Sequence, residues 1–227
     1  MAETIGYRSI VGAQSGSWLL GQILKAYFAV ELHRPADLLE RGSESCLILA
    51  PMHKSVLDPL LIMSALRYRQ WRALIPVRTL ATQTFSGLLR WFGPLIRLLY
   101  RVEGVVELPP RDEGGTLPEK LQGLLDALRQ GDVVAIFPEG GVWKKRNPPI
   151  GEFVPGVIYL QRRTGADIVP IALWTGGRLR PRSRYVIEMG TPTQIPADLD
   201  LDAGAAWLRE RTLELYERAH KRHEGNT

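Results

Sequence analysis

The sequence predicts a single α/β domain: a mostly parallel, mixed sheet flanked by helices, with an N-terminal amphipathic helix. Three observations predict it. Short apolar runs of strand type alternate with segments of helical period, the pattern of a wound parallel sheet. At 227 residues the chain is the size of one sizeable domain, and no repeat, low-complexity tract or long linker divides it. Hydrophobic residues make up 45% and charged residues 23%, which excludes a mainly disordered chain or a repeat fibre. The expected organisation is an amphipathic segment over 1–40, an α/β core over 41–190 and a C-terminal helix over 191–227.

From the N-terminus, Trp18 to Leu32 (WLLGQILKAYFAVEL) places Leu20, Ile23, Leu24, Tyr27 and Phe28 on one helical stripe, interrupted by Gln22, Lys25 and Glu31. It is too short and too polar to span a bilayer. It also lacks the basic start and cleavage pattern of a signal peptide. Cys46 to Ala50 reads as a buried strand. Asp58-Pro59 opens a helix to about Arg67, with Asp at the cap and Pro in the first turn. Trp71 to Val77 and Leu98 to Val102 read as strands. Between them, the apolar run Phe85 to Tyr100 is broken by Gly93-Pro94. Thr116 to Glu119 is a capping box that starts a helix ended by Gly131. Asp132 to Phe137 (DVVAIF) is a strong buried strand. Pro155 to Arg163 is a helix with Gly165 past its end. Asp167 to Leu173 and Arg184 to Met189 are strands. The last helix runs from Asp202 to about Arg222, where Arg209, Glu210, Arg211, Glu214, Glu217 and Arg218 alternate in sign as a solvated face.

The formal net charge is +5, and the excess is unevenly spread. No Asp or Glu occurs from Pro59 to Val102, a stretch carrying Arg67, Arg69, Arg72, Arg78, Arg90, Arg97 and Arg101. From Val142 to Ile187 the only acids are Glu152 and Asp167. A basic balance points to a negatively charged partner. Arginines beside Leu88, Leu89, Trp91 and Phe92 suit a membrane interface. Trp18, Leu20, Arg90, Trp91 and Phe92 are the expected membrane contacts. The lone cysteine, Cys46, excludes an internal disulfide and a cysteine zinc cluster, and fits a reducing cytoplasm. The four histidines are well spread, and no metal site is expected.

Three constellations carry chemistry. His53-Lys-Ser-Val-Leu-Asp58 is a His-x4-Asp pair where a strand turns into a helix, the end at which functional groups of such folds gather. A histidine there can serve as general base, and a carboxylate beside it can orient the ring. Equally, Asp58 before Pro59 is a good helix cap with no catalysis. Phe137-Pro-Glu139-Gly140-Gly141 follows a strand, where glycines let a backbone approach a ligand and Glu139 can accept from a hydroxyl. The bland reading of this stretch is a plain turn. Arginines near strand ends, Arg101 foremost, can grip phosphate.

Taken in order with Val169-Pro170-Ile171-Ala172-Leu173, these blocks resemble the glycerolipid acyltransferase family, best known for the lysophosphatidic acid acyltransferases. The resemblance covers about Leu47 to Leu173. It implies transfer of a fatty acyl group from a thioester, acyl-CoA or acyl carrier protein, to a lipid hydroxyl. No cofactor beyond that co-substrate is implied. It also implies peripheral binding to a phospholipid membrane, here at its cytoplasmic face. By position, His53 matches the general base, Asp58 its orienting carboxylate, Glu139 and Gly140 the acceptor-binding block, and Pro170 the final block. Arg101 matches the phosphate-holding arginine, with Arg97 and Arg111 as alternatives. Gly141 and Val142 depart from the usual Thr-Arg, Met52 stands where Asn is common, and Val154 where lysine is common. Arg146, Lys144 or Lys145 can restore the charge. Ser55 joins the substrate-binding residues; as a nucleophile it is disfavoured, because a thioester is already activated.

Two other classes compete. Arg178-Leu-Arg-Pro-Arg-Ser-Arg184 and Trp143-Lys-Lys-Arg146 could track nucleic-acid phosphates. No nucleic-acid motif accompanies them, and no nucleic-acid partner is expected. A non-catalytic member that binds lipid or a partner protein is the second alternative.

Overall fold

The computed structural model describes residues 7–35, 38, 47–55, 57–82, 93–108, 115–143, 148–175 and 182–225. The elements run α1 (Tyr7–Tyr27), β1 (Ala29–His33), β2 (Leu47–Pro51), α2 (Asp58–Ala65), α3 (Tyr68–Leu74), β3 (Val77–Thr82) and α4 (Gly93–Val102). They continue with β4 (Val106–Leu108), α5 (Leu117–Arg129), β5 (Val133–Ala135), α6 (Gly156–Thr164), β6 (Asp167–Thr175), β7 (Arg184–Met189) and α7 (Leu201–Glu224).

Among the described residues seven strands form one sheet in the order β1-β7-β6-β2-β5-β3-β4. The β6–β2–β5–β3–β4 pairings are parallel, so these strands end on a common carboxyl rim. β7 runs antiparallel to β6 and β1 parallel to β7, so both begin at that rim. Alternation along the strands feeds two cores. Leu49, Val169, Ile171 and Tyr185 pack with α2 and α3 residues such as Leu61, Ile62 and Trp71. Ile48, Ala50, Val134 and Ile168 pack against α5, α6 and the first half of α7 through Leu124, Leu128, Ile158 and Leu208. Burying such a side chain contributes about 1.5–3 kcal/mol each.

Several elements depart from the sequence pattern. The first helix starts at Tyr7 and stops at Tyr27, and Ala29–His33 is a strand. Pairing with β7 from Ala29↔Arg184 to His33↔Glu188 overrides the helical period there. Trp71 to Leu74, expected as the first part of a strand running to Val77, instead belongs to helix α3, Tyr68–Leu74. Gln70 Oε1 accepts from the Arg67 N–H at its start, and Trp71 and Leu74 bury one face. The extended Ile75 before Pro76 stops it, and β3 begins at Val77. Leu98 to Val102 is helix as well: Pro94 lies in the first turn of α4, where proline starts a helix, and the strand shifts to Val106–Leu108. Cys46 and residues 85–92 lie outside the described residues. The remaining strands and helices, β2 and β5 to β7, α2 and α5 to α7, match the sequence reading within a few residues.

α1 lies antiparallel on α2, with Trp18 Nε1 donating to Leu66 O (3.0 Å) and Gln22 Nε2 to Ser64 O (3.0 Å). Gly21 permits the close approach, because a Cβ there would stand 2.9 Å from Ser64 Cβ.

Candidate active site

β2 delivers the first residue of the site. Met52 N donates to Ile171 O (2.9 Å), which extends the ladder one residue past Pro51 and sends His53 out over the carboxyl rim. The chain then turns into α2. Asp58 is the first residue of that helix and is fully buried. Its side chain caps nothing. Leu57 holds the cap position, without a side-chain cap bond, and the Asp58 carboxylate faces back into the loop. Oδ2 accepts from Lys54 N (2.5 Å) and Ser55 N (2.7 Å) and lies 3.0 Å from His53 Nδ1. Oδ1 accepts from the Tyr185 hydroxyl (2.5 Å). The helix-cap reading of Asp58 is therefore corrected. Backbone donors, an imidazole and a phenol hold this carboxylate, as an ionised buried group requires.

This arrangement fixes the imidazole. A nitrogen facing a carboxylate carries the hydrogen, so Nδ1 donates and Nε2 presents a lone pair. The ring stacks on Phe137, with centroids 4.1 Å apart and planes at 27°. The side chain is 15% exposed, so it is not sealed from solvent.

β5 delivers the second block. The chain folds into a turn, with Gly140 N donating to Phe137 O (3.0 Å) and Gly140 at φ +67°, a conformation that favours glycine. Glu139 accepts from His53 N (2.8 Å) through Oε2 and from Gly151 N (2.8 Å) through Oε1. Trp143 N donates to His53 O (2.7 Å). The Glu139 carboxylate thus ties the 148–151 loop to the histidine backbone. Burial pushes its carboxyl above the ordinary value, and the two backbone donors pull in the opposite direction. Burial also lowers the Lys54 ammonium, which donates to Pro149 O in the same loop.

The structure therefore brings His53, Asp58, Ser55, Glu139 and Gly140 together. Ser55 Oγ accepts from Leu57 N (3.2 Å), a turn bond. Gly141 follows in the exposed part of the second turn. Arg101 lies elsewhere. Gln14 Nε2 donates both to Val77 O (2.7 Å), at the first residue of β3, and to Glu103 O (2.8 Å). Arg101, two residues before Glu103, therefore sits exposed toward the amino-terminal edge of the sheet, away from His53. Reading Leu98–Val102 as a strand had put it at the wrong end. Arg97 shares that exposed helix. Arg146, Arg111, Lys144, Lys145, Arg90, Trp91 and Phe92 lie outside the described residues. Leu20 is exposed, but Trp18 turns inward, its ring 5.2 Å from Tyr68 and its N–H on Leu66 O.

Sequence reasoning missed two residues. Tyr185 lies 127 positions from Asp58, in a strand whose apolar run reads only as core. Arg209, read as part of a solvated face, donates to Gly151 O (2.8 Å) and Ile150 O (3.1 Å) and so anchors the loop that Glu139 grips. Neither carries a local signal, because each acts through a partner far away in sequence.

Comparisons with known proteins bear on the fold and the family. The 1-acyl-sn-glycerophosphate (LPA) acyltransferase PlsC from Thermotoga maritima has a similar fold, with a TM-score of 0.61 at 15% identity. The match covers 92% of this chain and 79% of that one. No curated protein sequence matches. The family model named Acyltransferase matches residues 29–174, a span that starts with β1 and takes in the His53–Asp58 pair, the Glu139 turn and nearly all of β6. By that match over well more than half its length, the chain belongs to the acyltransferase family.

Proposed function

We propose that this chain is an O-acyltransferase. It moves a fatty acyl group from acyl-CoA or an acyl carrier protein thioester to the hydroxyl of a lysolipid such as lysophosphatidic acid. It works bound peripherally at the cytoplasmic face of a membrane and uses no further cofactor. The observation that carries this reading is the His53–Asp58 pair, with Nδ1 held at 3.0 Å and Nε2 left as the acceptor.

His53 Nε2 takes the proton of the acceptor hydroxyl as that oxygen attacks the thioester carbonyl carbon. Asp58 keeps the tautomer and stabilises the imidazolium that forms. When the tetrahedral intermediate collapses, the C–S bond breaks, an ester forms and the imidazolium returns its proton to the departing thiolate. Atoms and charges balance without a covalent enzyme intermediate. Glu139 and Gly140, with Gly141 and Ser55 beside them, shape the acceptor side by holding the turn against His53.

The membrane reading rests on exposed apolar helix surface. Leu19, Leu20, Ile23 and Tyr27 of α1 are exposed, as are Leu95, Leu98 and Leu99 of α4, and neither helix contains an acid. Basic residues beside such a surface suit anionic headgroups. Among the described residues no helix is long and apolar enough to cross a membrane.

The test is thiol release from acyl-CoA, or from an acyl-carrier-protein thioester, dependent on an added lysolipid. His53→Ala should lower kcat about 10²–10⁴-fold, the usual contribution of a general base, with an unchanged unfolding transition. Near-normal turnover in that variant overturns the mechanism. Absence of lysolipid-dependent release across a panel of acceptors in the wild type overturns the activity and leaves the non-catalytic reading.

A further inference from the structure

The loop that the Glu139 carboxylate grips is also held from the side of the C-terminal helix. Carbonyls taken out of water need donors, and here side chains supply them. Four successive carbonyls of 148–151 each accept from a side chain. Pro148 O takes Trp143 Nε1 (3.0 Å) and Pro149 O the Lys54 ammonium. Ile150 O takes Arg209 Nη2 (3.1 Å) and Gly151 O takes Arg209 Nε (2.8 Å). The Gly151 amide donates to Glu139 Oε1 (2.8 Å), and the other oxygen of that carboxylate accepts from the His53 amide (2.8 Å). A continuous path therefore runs from Arg209 through Gly151 and Glu139 to the backbone of His53.

The side chain at the far end of this path suits the task. Leu208 and Thr212, beside Arg209 on α7, are fully buried, so the guanidinium extends from an element that the core holds in place. Its N–H groups form a planar fork, and two of them on neighbouring carbonyls set both the position and the tilt of the peptide between. Lys54 donates to the same loop from the turn between β2 and α2, so 148–151 is pinned between the His53 loop and α7. Position matters here, because moving a catalytic group by about 1 Å can cost roughly 10²-fold in rate. We propose that Arg209 is a positioning residue of the acyl-transfer site: acting through Gly151 and Glu139, it fixes the acceptor side against His53. The role in the reaction rests on the acyl-transfer reading given above.

Two measurements on the full chain test it: steady-state thiol release, with oleoyl-CoA as donor and lysophosphatidic acid as acceptor, and amide hydrogen exchange. In Arg209→Gln, kcat/KM for the acceptor should fall at least about tenfold while KM for the donor stays within about twofold. Arg209→Lys can serve one carbonyl but not both, so it should lie between wild type and Arg209→Gln, and it carries the test if Arg209→Gln misfolds. The Gly151 amide should exchange at least about tenfold faster in Arg209→Gln, while the Met52 amide, bonded into the sheet at Ile171 O, keeps its rate. A merely structural contact would lower the unfolding transition without separating the two substrates, so equal losses toward donor and acceptor overturn the proposal. Unchanged acceptor kcat/KM overturns it too, whether or not Gly151 exchanges faster. If the wild type releases no thiol with this or any other lysolipid, the acyl-transfer reading falls and the positioning role falls with it. The exchange rate of Gly151 still reports whether Arg209 holds the loop, which tells that failure apart from a failure of the contact itself.

Discussion

Tyr185→Phe isolates the least expected contact of the site. The phenol and Asp58 are both fully buried, and the O–H donates to Oδ1 at 2.5 Å. Phenylalanine keeps the ring and its packing and deletes only the donor. Oδ2 retains Lys54 N, Ser55 N and the imidazole, while Oδ1 loses the hydroxyl. A hydrogen bond to a charged group contributes about 1.5–3 kcal/mol, and a buried acceptor left alone loses its full desolvation balance. Unfolding by urea should therefore show a loss of about 1.5–3 kcal/mol with an unchanged slope. The same deletion leaves more of the carboxylate's charge to act on the imidazolium. The acidic limb of the kcat/KM profile, followed by thiol release, should move to higher pH. Lys54 and Glu139, the other titrating groups against His53, are untouched by the substitution. The phenol itself stays protonated in the wild type, since burial and the Asp58 charge hold it well above its ordinary range. A variant with stability within about 0.5 kcal/mol of wild type and an unmoved acidic limb would refute the positioning role.

Two further outcomes follow from the same geometry. Burial holds the Glu139 carboxyl above its ordinary 4.5, so the folded state binds that proton more tightly than the unfolded chain. Its contribution to stability is fully present below 4.5 and fades as pH rises through the raised value; wild type should therefore lose stability relative to the non-titrating Glu139→Gln as pH rises over that window, and a difference flat with pH contradicts this account. Ile23→Glu combined with Leu98→Glu places carboxylates on the two exposed apolar helix faces, and sedimentation with anionic vesicles should fall at least tenfold while the thermal transition stays in place; unchanged sedimentation removes these helices from the membrane surface.

The legible part of the site was the part encoded within a few residues. His53 and Asp58 are one loop apart, and a strand entering a helix there leaves few ways to arrange them. The same holds for the Glu139-Gly140 turn, whose glycine carries the positive φ the sequence invites. Arg101 shows the limit. Its assignment depended on a strand at Leu98–Val102, and a first-turn proline made that segment a helix ending at the opposite edge of the sheet. Trp18 shows another. A hydrophobic stripe marks residues that avoid water, but whether lipid or α2 covers them is decided by Gly21 and its 2.9 Å approach to Ser64. Arg209 and Tyr185 had no local signal at all.

The sequence by itself determined the α/β class, the order of most elements, the family blocks and the segregation of acids away from Pro59 to Val102. Those follow from short-range periodicity and from composition, which a chain carries wherever it folds. Only the tertiary structure decided which groups meet. Strand order β1-β7-β6-β2 brings Tyr185 to Asp58, the β1–β7 pairing brings Glu31 to Arg184, and α7 returns Arg209 to the loop that Glu139 holds. The physical reason is the range of the forces. Propensity and pattern act over a few residues, whereas the partner of a buried charge is whichever donor the packed sheet places within hydrogen-bonding distance.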